Sequence, residues 1–193
     1  MTLRARVFVG LLAVTLGAFA VAAPLVNVPL RWKPTSDLRL GATQITAAAV
    51  QFEPFKDTRE MPDKVGENRE DDTPKPVTTS DDVGAFVSNH MRDLFSHAGV
   101  KTVDTGGDVV VKGEVRQFFA RETHTYKAEV SVHLTVVGRD GTTLYSGVTS
   151  GEASRFGRSY LLENYYEVLS DAVVNATSSA LQNVEFQKAL SRH

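Results

Sequence analysis

The sequence predicts an α+β fold: an antiparallel sheet of about four strands with two helices packed on one face, in the order β-α-β-β-β-α. Three observations predict it. Residues 126–137 alternate, with Ala128, Val130, Val132, Leu134 and Val136 on one side and Lys127, Glu129, Ser131, His133 and Thr135 on the other. Asp140-Gly141 follows at once as a hairpin signal. Two stretches, residues 83–95 and 162–184, carry apolar side chains at spacings of three and four, the mark of a helix with one buried stripe. A sheet that alternates buries one face only, so helices gathered on that face cover every stripe.

Residues 1–22 read as a signal peptide. Arg4 and Arg6 form a short positive start, residues 7–23 are uncharged, and small residues gather at Ala20-Val21-Ala22-Ala23. Cleavage after Ala22 puts alanine at both specificity positions and sets the mature start at Ala23. The competing reading is an uncleaved anchor over residues 7–30, long enough to span a bilayer, although Pro24, Asn27 and Pro29 interrupt its second half. Both readings export the remainder to the periplasm, and the N-terminal segment is where membrane association would arise. Residues 23–45 then form an extended lead-in, and residues 46–186 a single α+β domain.

Within that domain, residues 47–55 make the first strand, with Val50 and Phe52 alternating against Gln51 and Glu53. Residues 56–80 carry Pro62, Pro74 and Pro76, many charges and few large apolar side chains, and read as a long polar loop. Loops of that length tend to be functional or disordered. Ser80, Asp81 and Asp82 are N-cap residues for the first helix. Its stripe of Val83, Phe86, Val87, Met91, Leu94 and Phe95 runs on to Gly99, a C-terminal glycine. Three strands follow, over residues 109–121, 126–137 and 143–153, the last weakened by Gly147 and Gly151. One long helix over residues 159–184 ends the domain. Its stripe narrows to Ala176 and Ala180, which allows close approach to the sheet or the other helix.

Taken together these motifs resemble a family. A strand ends in Asp57-Thr58-Arg59, Val65-Gly66-Glu67-Asn68 follows, and a helix ends in Gly99. Then come Gly113-Glu114-Val115, the Gly141 hairpin and a terminal helix with Val168-Leu169-Ser170-Asp171-Ala172-Val173. The pattern, over residues 47–184, is similar to the YajG-like family of bacterial envelope lipoproteins. The resemblance implies a periplasm-facing protein of a Gram-negative envelope. It departs from that family in one respect: members carry a lipobox cysteine, and this chain has no cysteine. A soluble periplasmic form or an N-terminal helical anchor would take the place of the lipid.

Composition narrows the function further. Removing the leader takes away two of the 21 basic residues, Arg4 and Arg6, and none of the 23 acidic ones, so the net charge moves from -2 to -4. That argues against a nucleic-acid partner. Without cysteine there are no disulfides, thiolate metal sites or cysteine nucleophiles. No phosphate-binding glycine loop and no Gly-x-Ser-x-Gly occurs. His90 and His97 stand two helical turns apart, too far to share a metal directly. The acidic run over residues 67–72 lacks calcium-loop spacing and reads as a solvated charge run. The sequence therefore predicts no catalytic residue, no metal site and no cofactor.

Five residues stand out as candidates for partner contact: Asp57, Arg59, Gly66, Glu67 and Asn68. The plainer readings are a strand-end ion pair for Asp57 and Arg59, worth little if exposed, and a positive-φ turn at Gly66. Phe118, Phe119, Tyr126, Tyr160, Tyr165 and Tyr166 would form a contact patch if exposed together, and core packing is their default. The function expected is a non-enzymatic envelope protein acting through protein–protein contacts, as an accessory to a membrane complex. The alternative is a periplasmic binding module for an amphiphile or a cell-wall fragment. A hydrolase with a scattered Asp/His site ranks third, because no site is visible.

Overall fold

The computed structural model describes residues 24–39 and 48–191. The signal-peptide reading of residues 1–22 and the end of the lead-in, residues 40–45, lie outside the described residues. Within them the chain runs β1 (Val50–Phe52), β2 (Lys56–Asp57), β3 (Lys64–Asn68), β4 (Lys75–Thr78), α1 (Val83–His97), β5 (Thr102–Val103), β6 (Val109–Glu122), β7 (Tyr126–Gly138), β8 (Thr143–Arg155), α2 (Leu162–Gln182) and α3 (Val184–Leu190).

One mixed sheet of eight strands holds the molecule together. Its spine is the antiparallel meander β6–β7–β8. On the other side of β6 the short strands β1, β2 and β3 follow one another, each parallel to it: Val50 faces Val109, Lys56 faces Glu114 and Gly66 faces Ala120. β5 lies parallel beside β1, and β4 antiparallel beside β3.

This overturns the expected sheet of about four antiparallel strands with two helices. The physical reason is the length of β6, 14 residues. The chain over residues 48–68 runs alongside it in three short steps, interrupted at Pro54 and by the excursion of residues 58–63. Parallel neighbours need a crossover connection, and the passage through α1 supplies one. Residues 56–80, expected as a polar loop, hold β2, β3 and β4. Pieces of two to five residues carry no readable alternation. The buried positions of β3 also include Glu67 and Asn68, which hydropathy assigns to the surface.

The helices cover one face of the sheet. Val111, Val115, Phe118 and Ala120 of β6 and Ala128, Val130, Val132, Leu134 and Val136 of β7 are buried beneath them. Asp82 caps α1 by accepting from the Ala85 N–H at 2.9 Å, and Gly99 at φ 88° ends it. The terminal helix expected over residues 159–184 is α2, and a further short helix, α3, follows it. Asn183 breaks the run, and its side chain caps α3 by accepting from the Phe186 N–H at 3.0 Å. Phe186 and Leu190 are fully buried. The opposite face of the sheet stays open: Lys127, Glu129, Ser150, Glu152 and Ser154 are exposed on it.

The N-terminal segment is fastened to the domain. The Val28 N–H donates to the Thr78 carbonyl at 2.8 Å and the Thr78 N–H to the Leu25 carbonyl at 3.0 Å, which covers the edge of β4. Further on, the chain lies along α2. Asp171 accepts from the backbone N–H and the hydroxyl of both Thr35 and Ser36, and the Arg39 N–H donates to Ser178 at 3.2 Å. Residues 24–30 form no helix, so none runs through to Leu30 as the second half of the anchor reading would require. No helix among the described residues is long and apolar enough to cross a membrane.

Between these two attachments Trp32, the only tryptophan of the chain, stacks on His90 of α1 with ring centroids 4.1 Å apart. Burial lowers the pKa of His90 below the ordinary histidine value, and Asp93 opposes the shift. Folded His90 therefore resists protonation, while the unfolded chain takes up a proton near pH ~6.5. Stability contributed by neutral His90 is complete above that pH and declines as pH falls toward the lower folded value. Thermal unfolding followed by Trp32 fluorescence should show this acid-side loss, and His90→Gln should flatten it. An unchanged slope in the variant would remove His90 from the account.

Candidate functional site

A basic groove opens on the uncovered face of the sheet, where β3 and the second half of β6 run side by side. A β-bulge in β6 builds it. The register to β7 shifts between Val115 and Gln117, so the buried positions change from Val111 and Val115 to Phe118, Ala120 and Glu122. After the bulge Gln117, Phe119 and Arg121 face outward beside exposed Arg116, the re-aiming that bulges produce. These four and Met61, Lys64, Glu67 and Arg69 line a groove of about 490 Å³. A second hollow of about 710 Å³ continues it across β7 and β8, sharing Gln117, Phe119 and Arg121 and adding Lys127 together with Glu129 and Glu152.

The electrostatic centre of the groove is Glu67. Its carboxylate takes ion pairs from Lys64 at 2.9 Å, from Arg121 at 3.2 Å and from Arg69. Burial pushes the Glu67 carboxyl up, but the hydrogen bonds from Lys64, Arg69 and Arg121 outweigh it and hold the pKa below the usual carboxylate value. Three cations on one carboxylate leave a positive surplus. Elsewhere along the groove Asp57 binds Arg59, Glu114 faces Arg116 at 3.7 Å, and exposed Glu60 also lines it.

The five residues singled out in the sequence divide between the two faces. Arg59 and Glu67 line the groove. Arg59 does so from inside the fold, with a side chain only 7% exposed. It grips Asp57 with two nitrogens at 2.9 and 2.7 Å and donates to the carbonyls of Lys64 at 2.8 Å and Phe118 at 3.1 Å. The pair is thus a buried clamp tying the excursion of residues 58–63 to β6. Gly66 and Asn68 point the other way, under the helices. Gly66 is extended rather than a positive-φ turn, since the left-handed glycines among the described residues are Gly99, Gly106 and Gly141. It is glycine for closeness: a Cβ there would lie 2.6 Å from the Ala120 carbonyl oxygen and 3.1 Å from the Tyr165 ring. Asn68 is buried and accepts from the Glu70 N–H at 3.1 Å.

Sequence reasoning named Phe119 among the aromatics but missed Arg116, Arg121 and Lys127, which share its surface. The signal was present in β6, where the buried positions pass from odd to even numbers around Arg116. Of the aromatic residues, Phe118, Tyr126, Tyr165 and Tyr166 are buried, and Phe119 is half-buried in the groove. The acidic run over residues 67–72 is not uniformly solvated, because Glu67 is buried among its cations.

The sheet register also brings Ser146, His133 and Glu114 into a row. Ser146 Oγ lies 3.0 Å from His133 Nε2, and His133 Nδ1 lies 3.8 Å from Glu114. The order is that of a hydroxyl, a base and an orienting carboxylate. The row lies on the open face of the sheet and ends on β8, an edge strand. Among the described residues no three histidine, aspartate or glutamate side chains are grouped to hold a metal.

No family model matches the sequence, and no curated protein matches it in sequence. Solved structures match its fold. A DUF330 protein from Xanthomonas campestris superposes with a TM-score of 0.56 at 11% identity, over 83% of this chain and 94% of that one. An uncharacterised protein superposes with a TM-score of 0.51 at 11% identity, over 79% of this chain and 98% of that one. At that identity the likeness is one of fold alone. A PelC variant from Paraburkholderia phytofirmans, a dodecamer, reaches a TM-score of 0.45 at 14% identity, over 80% and 95% of the two chains. That superposition is too loose to bear on assembly.

Proposed function

We propose that this chain is an exported envelope protein, akin to the YajG-like family, that works by gripping a partner protein through the basic groove. The observation that carries the reading is the cation surplus around Glu67 and Phe119 on an open sheet face. It occurs in a chain whose net charge is negative. A surface of that kind favours a partner presenting carboxylates, since complementary charge steers encounter and sets orientation. The leader composition supports export, and the shared fold with a DUF330 protein is compatible with it.

The test is cross-linking in whole cells followed by recovery of the C-terminally tagged protein. The comparison is with Arg116→Glu/Lys127→Glu. Neither of these side chains supports Glu67, so the fold should be preserved. The tagged protein should recover one envelope partner at near-equal amount, and the double variant should lose it by about tenfold or more. Full recovery by a folded double variant would remove the groove from the interaction.

A second reading has its own observation. Met61 is 56% exposed beside Phe119, so the groove has an apolar side as well as a basic one. An amphiphile with an anionic head would fit such a lining. Native mass spectrometry of the purified protein would show it as a retained mass that the double variant lacks.

A further inference from the structure

We infer that the outer edge of β8 is a self-association surface, distinct from the groove, and that its occupant is a second copy of this chain paired to it antiparallel, strand to strand. The fold treats its sheet edges unequally. On the side of the short strands, residues 25–28 pair with Thr78 of β4, and β2 and β5 are two residues each. Covering an edge and keeping it short are two ways proteins stop a sheet from pairing with other chains. β8 has neither protection. It runs for 13 residues and, among the described residues, pairs with β7 alone. It carries no proline and no lysine, and residues 143–151 carry no charge. An edge of that kind offers a row of backbone N–H and C=O groups to another strand.

Two features mark the ends of the open stretch. The register to β7 is irregular between Thr143 and Tyr145. At the other end the Asn175 side chain of α2 donates to the Glu152 carbonyl at 2.7 Å. Residues 145–151 lie between them. Their midpoint is Val148, which is 51% exposed.

About that midpoint the strand matches an antiparallel copy of itself, and this is what points to a second copy rather than to an unrelated strand. On the open face the exposed side chains Ser146, Val148 and Ser150 read the same in both directions. Val148 therefore meets its own counterpart, and each serine meets a serine. On the helix face Tyr145 stands opposite Gly151 of the second copy, a large side chain against a glycine, and Gly147 stands opposite Thr149. No charges are opposed along the stretch. The flank of α2 above this edge adds none: it presents Asn175 and, one turn further on, exposed Ser179. Two copies of the same net charge thus approach here without local repulsion, and cross-strand pairs of this kind stabilise a ladder. A two-fold axis perpendicular to the sheet keeps both open faces on one side, so the two basic grooves would share a single continuous sheet surface.

The test is sedimentation equilibrium over a range of concentrations, on the protein as purified from cells that express and process it. The wild type should sediment as a dimer that dissociates on dilution. Val148→Lys should raise the dissociation constant by about tenfold or more, since like charges would stand directly opposite each other. Its far-ultraviolet circular dichroism should match the wild type, because the side chain replaced is exposed. The chain has no cysteine, so a single introduced thiol reports the register. Val148→Cys should link to its own copy on oxidation, as the spacing of paired strands allows. Ser154→Cys, set far from its counterpart, should stay unlinked. A wild type that is monomeric at every concentration, a dimer that Val148→Lys leaves intact, or equal linking of the two cysteine variants would each overturn the proposal. So would a monomeric wild type that cross-links in cells to an envelope partner lost in Val148→Lys, a result that would give the edge to a strand of another protein.

Discussion

Gly151→Ala is expected to destabilise the protein by about 3 kcal/mol or more, at the upper end of what overpacking usually costs. Gly151 lies in β8 opposite Val130 of β7, with α2 directly above it. A Cβ at this position would fall 2.1 Å from the Ala176 nitrogen, 2.3 Å from the Ala172 oxygen and 2.7 Å from the Asn175 carbonyl carbon. All three are backbone atoms of a helix, so no side-chain rotation relieves the clash. The helix must lift. Lifting it strains the bond from the Thr149 hydroxyl to the Ala176 carbonyl, 2.7 Å long, and opens the contact of Ala172 and Ala176 with the sheet. Melting followed by circular dichroism should fall by roughly 6–12 °C. Gly147→Ala is the control. The nearest atoms to its added Cβ belong to the Tyr145 hydroxyl and ring, at 2.4 and 2.7 Å, the far end of a side chain that can swing aside. Its loss should be about 1 kcal/mol or less, within the common range for single substitutions. If the two variants melt together, close packing of α2 on β8 is not what holds that corner.

Arg59→Ala should cost about 3 kcal/mol, the lower end of the range for breaking one partner out of a buried ion pair. The substitution leaves the Asp57 carboxylate, 17% exposed, without its cation. It also leaves the carbonyls of Lys64 and Phe118 without their donor. Arg59→Lys should recover little, because one ammonium cannot hold a carboxylate with two nitrogens and still reach both carbonyls. Urea denaturation gives the magnitude. Limited proteolysis should show earlier cleavage within residues 58–63, the excursion the guanidinium fastens. A loss below about 1 kcal/mol would return the pair to the class of exposed ion pairs.

These two sites mark where the sequence could be read and where it could not. Gly151 was visible as a glycine inside a strand, which weakens a strand in isolation. Its role as the seat of α2 depends on a helix that comes later in the chain. Arg59 was visible as half of a pair with Asp57, but the worth of a pair depends on burial, and burial here comes from Phe118 and the 58–63 excursion. The groove was half legible: Glu67 stood out, and Phe119 did so only as one of several aromatics, while nothing marked Arg116 and Arg121. A bulge that shifts the alternation at Arg116 looks, in one dimension, like noise in a strand.

The properties readable along the chain are those set between near neighbours. They are the charge and apolar run of residues 1–23, the lack of cysteine, the alternation of residues 126–137 and its Asp-Gly turn, and the helical stripes. Each needs only the regular geometry of a strand or helix to acquire meaning. The parallel placement of three short strands along β6, the burial of Glu67 and Asn68, and the break at Asn183 arise from contacts between distant segments. Two- and five-residue strands hold too few side chains to encode a period. They are strands because a 14-residue neighbour offers them a ladder of unpaired groups.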